Sequence, residues 1–216
     1  MGSLRIIFIF LLFMPAQLFS LSDVLNQAPY SLCFTPGGRC TDLIDQTILS
    51  AKQSVEVQAY SFTSKPIIHA LIKAHNNGID VFVLLDKSNI GMPYAVINAL
   101  KQSHIPFLID AIPEIAHNKV MIIDNNTVIT GSFNFTKAAQ HYYAENVLVI
   151  HNKQLAQYYH LNFLSRKKVS MPIKQYCHPA TPMNAVMCHQ QSVLFRGLKK
   201  DHPWRRVWKR NGFERH

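Results

Sequence analysis

Between residues 41 and 163 the apolar positions fall into segments of two alternating periods, one helical and one extended. Thr41 or Asp42 can cap a helix in which Leu43, Ile44, Ile48, Leu49 and Ala51 share a face. Ser54 to Tyr60 alternates as a strand does, and Lys65 to Asn76 reads as helix until Asn77-Gly78 stops it. Asp80 to Leu85 is an almost unbroken apolar run, the signature of a strand covered on both faces. Pro93 at a first helical position opens a segment to about Ser103, and Ile105 to Ile109 is extended again. Lys119 to Ile123 and Thr127 to Thr130 flank Asp124-Asn125-Asn126 and read as two strands around a tight turn. Asn146 to Ile150 is a last strand and Lys153 to Phe163 a last helix. Strands separated by amphipathic helices predict an α/β layered domain with a mixed sheet, occupying residues 23–168.

Both ends depart from this pattern. Arg5 precedes the apolar run Ile6 to Met14, then Pro15 and small residues at Ser20 and Ser22, the layout of a secretory signal peptide over residues 1–22. A membrane-spanning helix needs roughly 17 to 25 apolar residues, so cleavage and export to the periplasm or medium are expected rather than anchoring. At the other end, residues 169–216 are punctuated by prolines and lack the apolar residues for a core of their own. Composition, at 48% hydrophobic and 16% charged, excludes a disordered, collagenous or coiled-coil chain as a whole. The net charge of +10 is unevenly placed: residues 1–165 carry ten charges of each sign, while residues 166–216 carry twelve basic and two acidic ones. Trp204, Val207 and Trp208 recur at helical spacing there among Arg205, Arg206, Lys209 and Arg210. Such a segment can hold nucleic acid by charge and base stacking, lie on an anionic membrane, or remain a solvated extension.

Export makes the four cysteines candidates for disulfides. Cys33 and Cys40 flank Pro36-Gly37-Gly38, a turn that can bring the two sulfurs together, which leaves Cys177 with Cys188. Four cysteines permit three pairings, so the local one is a preference. His178 and His189 each follow a cysteine, but the spacing matches no common zinc pattern and no metal is expected.

The candidate chemistry lies in residues 117 to 134. There His117, Lys119, Asp124, Gly131, Ser132 and Asn134 stand in the order His-x-Lys-x4-Asp-x6-Gly-Ser-x-Asn. Six fixed identities at fixed spacing arise by chance on the order of once in a hundred million starting positions. This pattern resembles that of the phospholipase D superfamily. Together with Ala59 to Ser64, Gly131 to Ala139 and Ala144-Glu145-Asn146, it looks like the small bacterial endonucleases of that superfamily that carry one such motif per chain. The resemblance runs from about residue 28 to residue 165. It implies an α/β sandwich, a homodimer, and hydrolysis of DNA phosphodiesters with neither metal nor cofactor.

Residue chemistry is compatible with that implication. Alternation on a strand sends His117 and Lys119 to one side, and Ser132 and Asn134 likewise. A neutral imidazole can attack phosphorus to give a phosphohistidine, while Lys119, Asn134 and Ser132 donate to the non-bridging oxygens. Glu145 matches the family's carboxylate partner of the nucleophile, accepting from its other ring nitrogen. By parity Asp124 faces away from His117, so turn support with Gly131 is its expected part. A departing alkoxide needs a proton, and one motif per chain offers no second histidine. A two-fold dimer with the site on its axis would supply it from the other copy, giving a bell-shaped pH profile that belongs to the pair. Two alternatives share these residues or this charge: a phospholipid phosphodiesterase acting at a membrane, and a basic nucleic-acid-binding protein without catalysis.

Overall fold

The computed structural model describes residues 27–91 and 96–176. Residues 1–22, read above as a signal peptide, and Cys177, Cys188 and the tail residues Trp204 to Arg210 lie outside them. The chain order is β1 (Tyr30–Thr35), α1 (Cys40–Leu49), β2 (Ser54–Ala59), α2 (Lys65–Asn76), β3 (Asp80–Asp86), a 3-10 turn (Lys87–Asn89), α3 (Val96–Gln102) and β4 (Phe107–Asp110). It continues with β5 (Lys119–Ile123), β6 (Thr127–Gly131), α4 (Lys137–His141), β7 (Glu145–His151), α5 (Lys153–Val169) and α6 (Ile173–Tyr176). Seven strands form one sheet in the order β1-β7-β6-β5-β2-β3-β4. The β2, β3 and β4 strands run parallel, and every other pairing is antiparallel. This is the layered α/β domain with a mixed sheet that the alternation of periods predicts, and the sandwich that the resemblance implies.

Each face of the sheet has its own core. Val55, Val57, Met121, Ile123 and Ile129 point into the larger one, where Ile44 and Ile48 of α1, Ile67 and Leu71 of α2 and Ile97 and Leu100 of α3 close over them. Val120, Ile122 and Val128 point the other way, onto Ala156 and Phe163 of α5. The polar residues of β2 are covered as well: His160 Nδ1 meets the Glu56 carboxylate at 2.8 Å and Gln58 Nε2 donates to Asn162 at 3.4 Å, so α5 is keyed to the sheet by polar pairs. Burial raises the Glu56 carboxyl above its ordinary range, with His160 pulling it back. Arg166 grips Asp110 with two hydrogen bonds at the other end of α5. Among the described residues no helix is long and apolar enough to cross a membrane.

Several local expectations need correction. Residues 30–35 form an edge strand, β1, where only a turn between cysteines is anticipated; Cys33 within it and Cys40 at the start of α1 form a disulfide. The α1 helix begins at Cys40 with Arg39 at the cap position, so neither Thr41 nor Asp42 caps it; the Thr41 amide is taken by Gln140 Oε1 at 2.8 Å. The α5 helix runs six residues past Phe163, and the short α4 and α6 are additional. The described part of α3 starts at Val96, and Pro93 lies outside the described residues.

Asp45 on α1 gives a stability prediction. Burial, and then the Asp42 carboxylate one turn earlier, push its carboxyl up to about 6, and Oδ1 has no hydrogen-bond partner. A carboxyl whose folded pKa lies above its unfolded 3.8 favours the fold in its protonated form, and that advantage is lost as pH rises from about 4 through 6. Asp45→Asn is therefore expected to gain about 1 kcal/mol at pH 7, discounted for partial solvent access, and nothing at pH 4. Thermal melts of both proteins at the two pH values check this; an equal shift at both would remove the ionisation as its cause.

Candidate active site

The strand directions gather one set of ends. The C-terminal ends of β1, β2, β3, β4 and β6 and the N-terminal ends of β5 and β7 all lie along one edge of the sheet, as the registers require. Open α/β sheets bind ligands beyond the carboxyl ends of their parallel strands, and this edge is that location.

His117 lies two residues before β5, on a segment fixed from two sides. The buried Asp86 at the end of β3 accepts the Ala116 amide at 2.7 Å. On the other side, Tyr60 N donates to Asn118 O at 2.8 Å, extending the β2–β5 pairing in which Ala59 opposes Lys119. Fully buried Asn89 donates to the Tyr60 carbonyl at 2.6 Å and accepts from Phe62 N at 3.2 Å, which holds the turn after β2. His117 itself is exposed, while Lys119 is only 8% exposed.

Two of the expected residues meet directly. Lys119 Nζ lies 3.1 Å from His117 Nδ1, 3.0 Å from Nε2 and 3.1 Å from the His117 carbonyl oxygen. The Tyr60 ring packs against the imidazole with centroids 4.5 Å apart, and Lys119 Nζ lies 5.1 Å from the Tyr60 ring centre. Burial lowers the Lys119 ammonium below its ordinary value, and the Glu145 carboxylate at the start of β7 opposes that shift. A cation supported by a carboxylate and an aromatic face, beside an imidazole open to solvent, suits a group that carries negative charge and must be attacked.

None of the remaining expected residues touches His117, and Asp124 is not on this edge at all. Glu145 acts on Lys119 through charge; among the described residues no hydrogen bond joins it to the imidazole. Ser132 lies just past β6, and its hydroxyl accepts from Asn146 N at 3.1 Å and Nδ2 at 3.2 Å. Asn134 sits between the buried Phe133 and Phe135, and its Oδ1 is buried with no partner. Gly131 has φ +148°, and a Cβ there would fall 2.2 Å from the Asn146 carbonyl oxygen, so glycine alone lets β6 end this close to β7. Asp124 lies at the opposite edge, the length of β5 away, roughly 16 Å at strand rise. Its carboxylate accepts the amides of Lys52, Gln53 and Ser54 at 2.7 to 2.9 Å.

Tyr60, Asp86 and Asn89 have no place in the expected set. A carboxylate closing the apolar run before Lys87 was the available signal for Asp86. For Tyr60 only the strand pairing reveals the contact. Among the described residues no group of three or more His, Cys, Asp and Glu is placed to hold a metal ion.

Comparison with known proteins converges on the same region. Residues 44–167 match the family described as cardiolipin synthase, PLD-like domain. The chain is 45% identical over 152 residues to phospholipase D of Rickettsia prowazekii, covering 70% of this chain and 74% of that one. It is 26% identical over 154 residues to the mitochondrial cardiolipin hydrolase of Xenopus laevis, covering 70% and 73%. The crystal structure of Nuc, a phospholipase D family member from Salmonella typhimurium, superposes with a TM-score of 0.63 at 37% identity, over 67% of this chain and 97% of that one. With the family match running through the strands that carry Lys119 and Gly131, the chain belongs to the phospholipase D superfamily and is one of its phosphodiesterases.

Proposed function

We propose that this chain is an exported endonuclease that cleaves nucleic-acid phosphodiesters without a metal ion, through a histidine bonded transiently to phosphorus. The observation that carries the reading is the buried Lys119 ammonium held 3.0 to 3.1 Å from the ring nitrogens of an exposed His117. One nitrogen of that imidazole attacks phosphorus, a P–N bond forms, and the P–O bond to the departing sugar oxygen breaks. Lys119 and Asn134 stabilise the non-bridging oxygens, the task metal ions perform elsewhere. Glu145 supports the charged pair.

His117 of the partner subunit, in a two-fold dimer, donates the proton that the leaving alkoxide takes up. The same imidazole then removes a proton from water, which attacks phosphorus and releases His117. A site centred on one phosphate contacts no base edge, so cleavage has little sequence preference.

A phospholipid substrate is the second reading, favoured by the name phospholipase D carried by a relative at 45% identity. The mature protein should degrade plasmid fully in excess EDTA and release no head group or phosphatidic acid from liposomes. Lipid turnover without plasmid cleavage would overturn the nuclease reading in favour of the second. Loss of cleavage with chelator would overturn its metal independence.

A further inference from the structure

A cleft of about 910 Å³ opens on the active-site edge where α1, α2 and α4 begin, lined among others by Arg39, Asp42, Ser64, Lys65, Lys137 and His141. Ser64 occupies the cap position of the twelve-residue α2 helix, but its side chain makes no capping bond. It is only 3% exposed, and its hydroxyl has no hydrogen-bond partner among the described residues. A hydroxyl on a residue this buried, lining a cleft and without a protein partner, is free to meet a ligand there. The Lys65 and Ile67 amides at the same helix end also lack acceptors among the described residues, and Pro66 between them has no amide to offer.

The charge agrees with an anion. Arg39 is paired with Asp42, but Lys65 and Lys137 are exposed and form no ion pair among the described residues. The position ties the cleft to catalysis: the Thr63 and Ser64 amides both donate to Phe135 O, at 2.9 and 2.8 Å, one residue from Asn134. Gln140 fixes the far wall by donating to the Gly38 carbonyl at 2.7 Å and accepting from the Thr41 amide.

We infer that this cleft is a second phosphate subsite, which seats a backbone phosphodiester neighbouring the one that is cleaved. Ser64 Oγ and the α2 amides donate to its oxygens, and Lys65 and Lys137 supply the charge. The inference rests on the nuclease reading and deepens it, because a polynucleotide presents a neighbouring phosphate at every cut and a substrate with one phosphate presents none.

The test compares kcat/KM on a short single-stranded oligonucleotide with kcat/KM on bis(p-nitrophenyl) phosphate, which has a single phosphate. In the Lys65→Gln/Lys137→Gln double variant the ratio should fall about tenfold, and in Ser64→Ala about threefold. Binding of the labelled oligonucleotide to these variants in a His117→Asn background, where no turnover intervenes, should show a salt slope shallower by about 0.7 for each phosphate that is no longer neutralised. Because the two lysines are exposed, their variant keeps the inference open to test even if Ser64→Ala folds poorly. An unchanged ratio and slope, or an equal fall on both substrates, would overturn the subsite while leaving the nuclease reading in place. Cleavage of the small diester and of cardiolipin liposomes, with no binding or cleavage of the oligonucleotide by the unaltered protein, would instead sink the nuclease reading and the subsite with it.

Discussion

His117→Asn is expected to lower turnover of plasmid and of small diesters by at least about 10⁴-fold while leaving the melting temperature within about 1 °C of the parent. Asparagine cannot form a stable bond to phosphorus or donate the leaving-group proton, so both halves of the proposed reaction are lost. The fold should not notice, because the imidazole is exposed and its partners among the described residues are the Tyr60 ring and the Lys119 amine. The same variant interrogates the two-fold arrangement. Unfolding and refolding equal amounts of variant and parent makes mixed dimers that lack either the nucleophile or the acid. Activity should then drop to about a quarter rather than half, as random pairing requires if both imidazoles are needed. Linear dilution to one half would show that each protomer works alone.

The second large effect is on stability. Gly131→Ala should cost about 3 to 5 kcal/mol and about 10 °C in melting temperature, because its methyl would overlap the Asn146 carbonyl in a backbone conformation that side chains rarely adopt. Gly78→Ala is the matched control. It also has a positive φ, +86°, but nothing lies within 4 Å of the added carbon, so about 1 kcal/mol is expected there. Melting curves separate the two cases. The Gly131 variant should also lose turnover, since Asn146 is what holds the Ser132 hydroxyl at the end of β6. Equal melting of the two variants would mean that β6 and β7 can part at this point without penalty.

The sheet and its helices were legible because most of them obey one rule, an apolar stripe facing a core. The exceptions show where that rule stops. In β1 the alternation is inverted: Tyr30, Leu32 and Phe34 are exposed at 66, 52 and 63%, and the side turned inward offers Cys33 and Thr35 instead, so nothing marks the segment as a buried strand. The α4 helix has five residues, fewer than two turns, too short for a period to register. At the site, fixed spacing was sufficient to single out His117 and Lys119, since two residues apart near a strand they converge. Tyr60 follows β2 and Asp86 ends β3, and their approach depends on the β2–β5 and β2–β3 registers. The partner chosen for Ser132 likewise depends on how closely β7 passes Gly131, a tertiary distance that spacing along one strand does not encode.

The turn at Asp124 and the gathered strand ends stand at opposite rims of the same sheet. Mutational drift at the far rim, in the loops before β2, between α2 and β3 and around Asn125, can alter how tightly the sandwich holds together with little consequence for reactivity. A lineage could therefore adapt to heat, salt or acidity by editing one rim and change its preferred diester by editing the other.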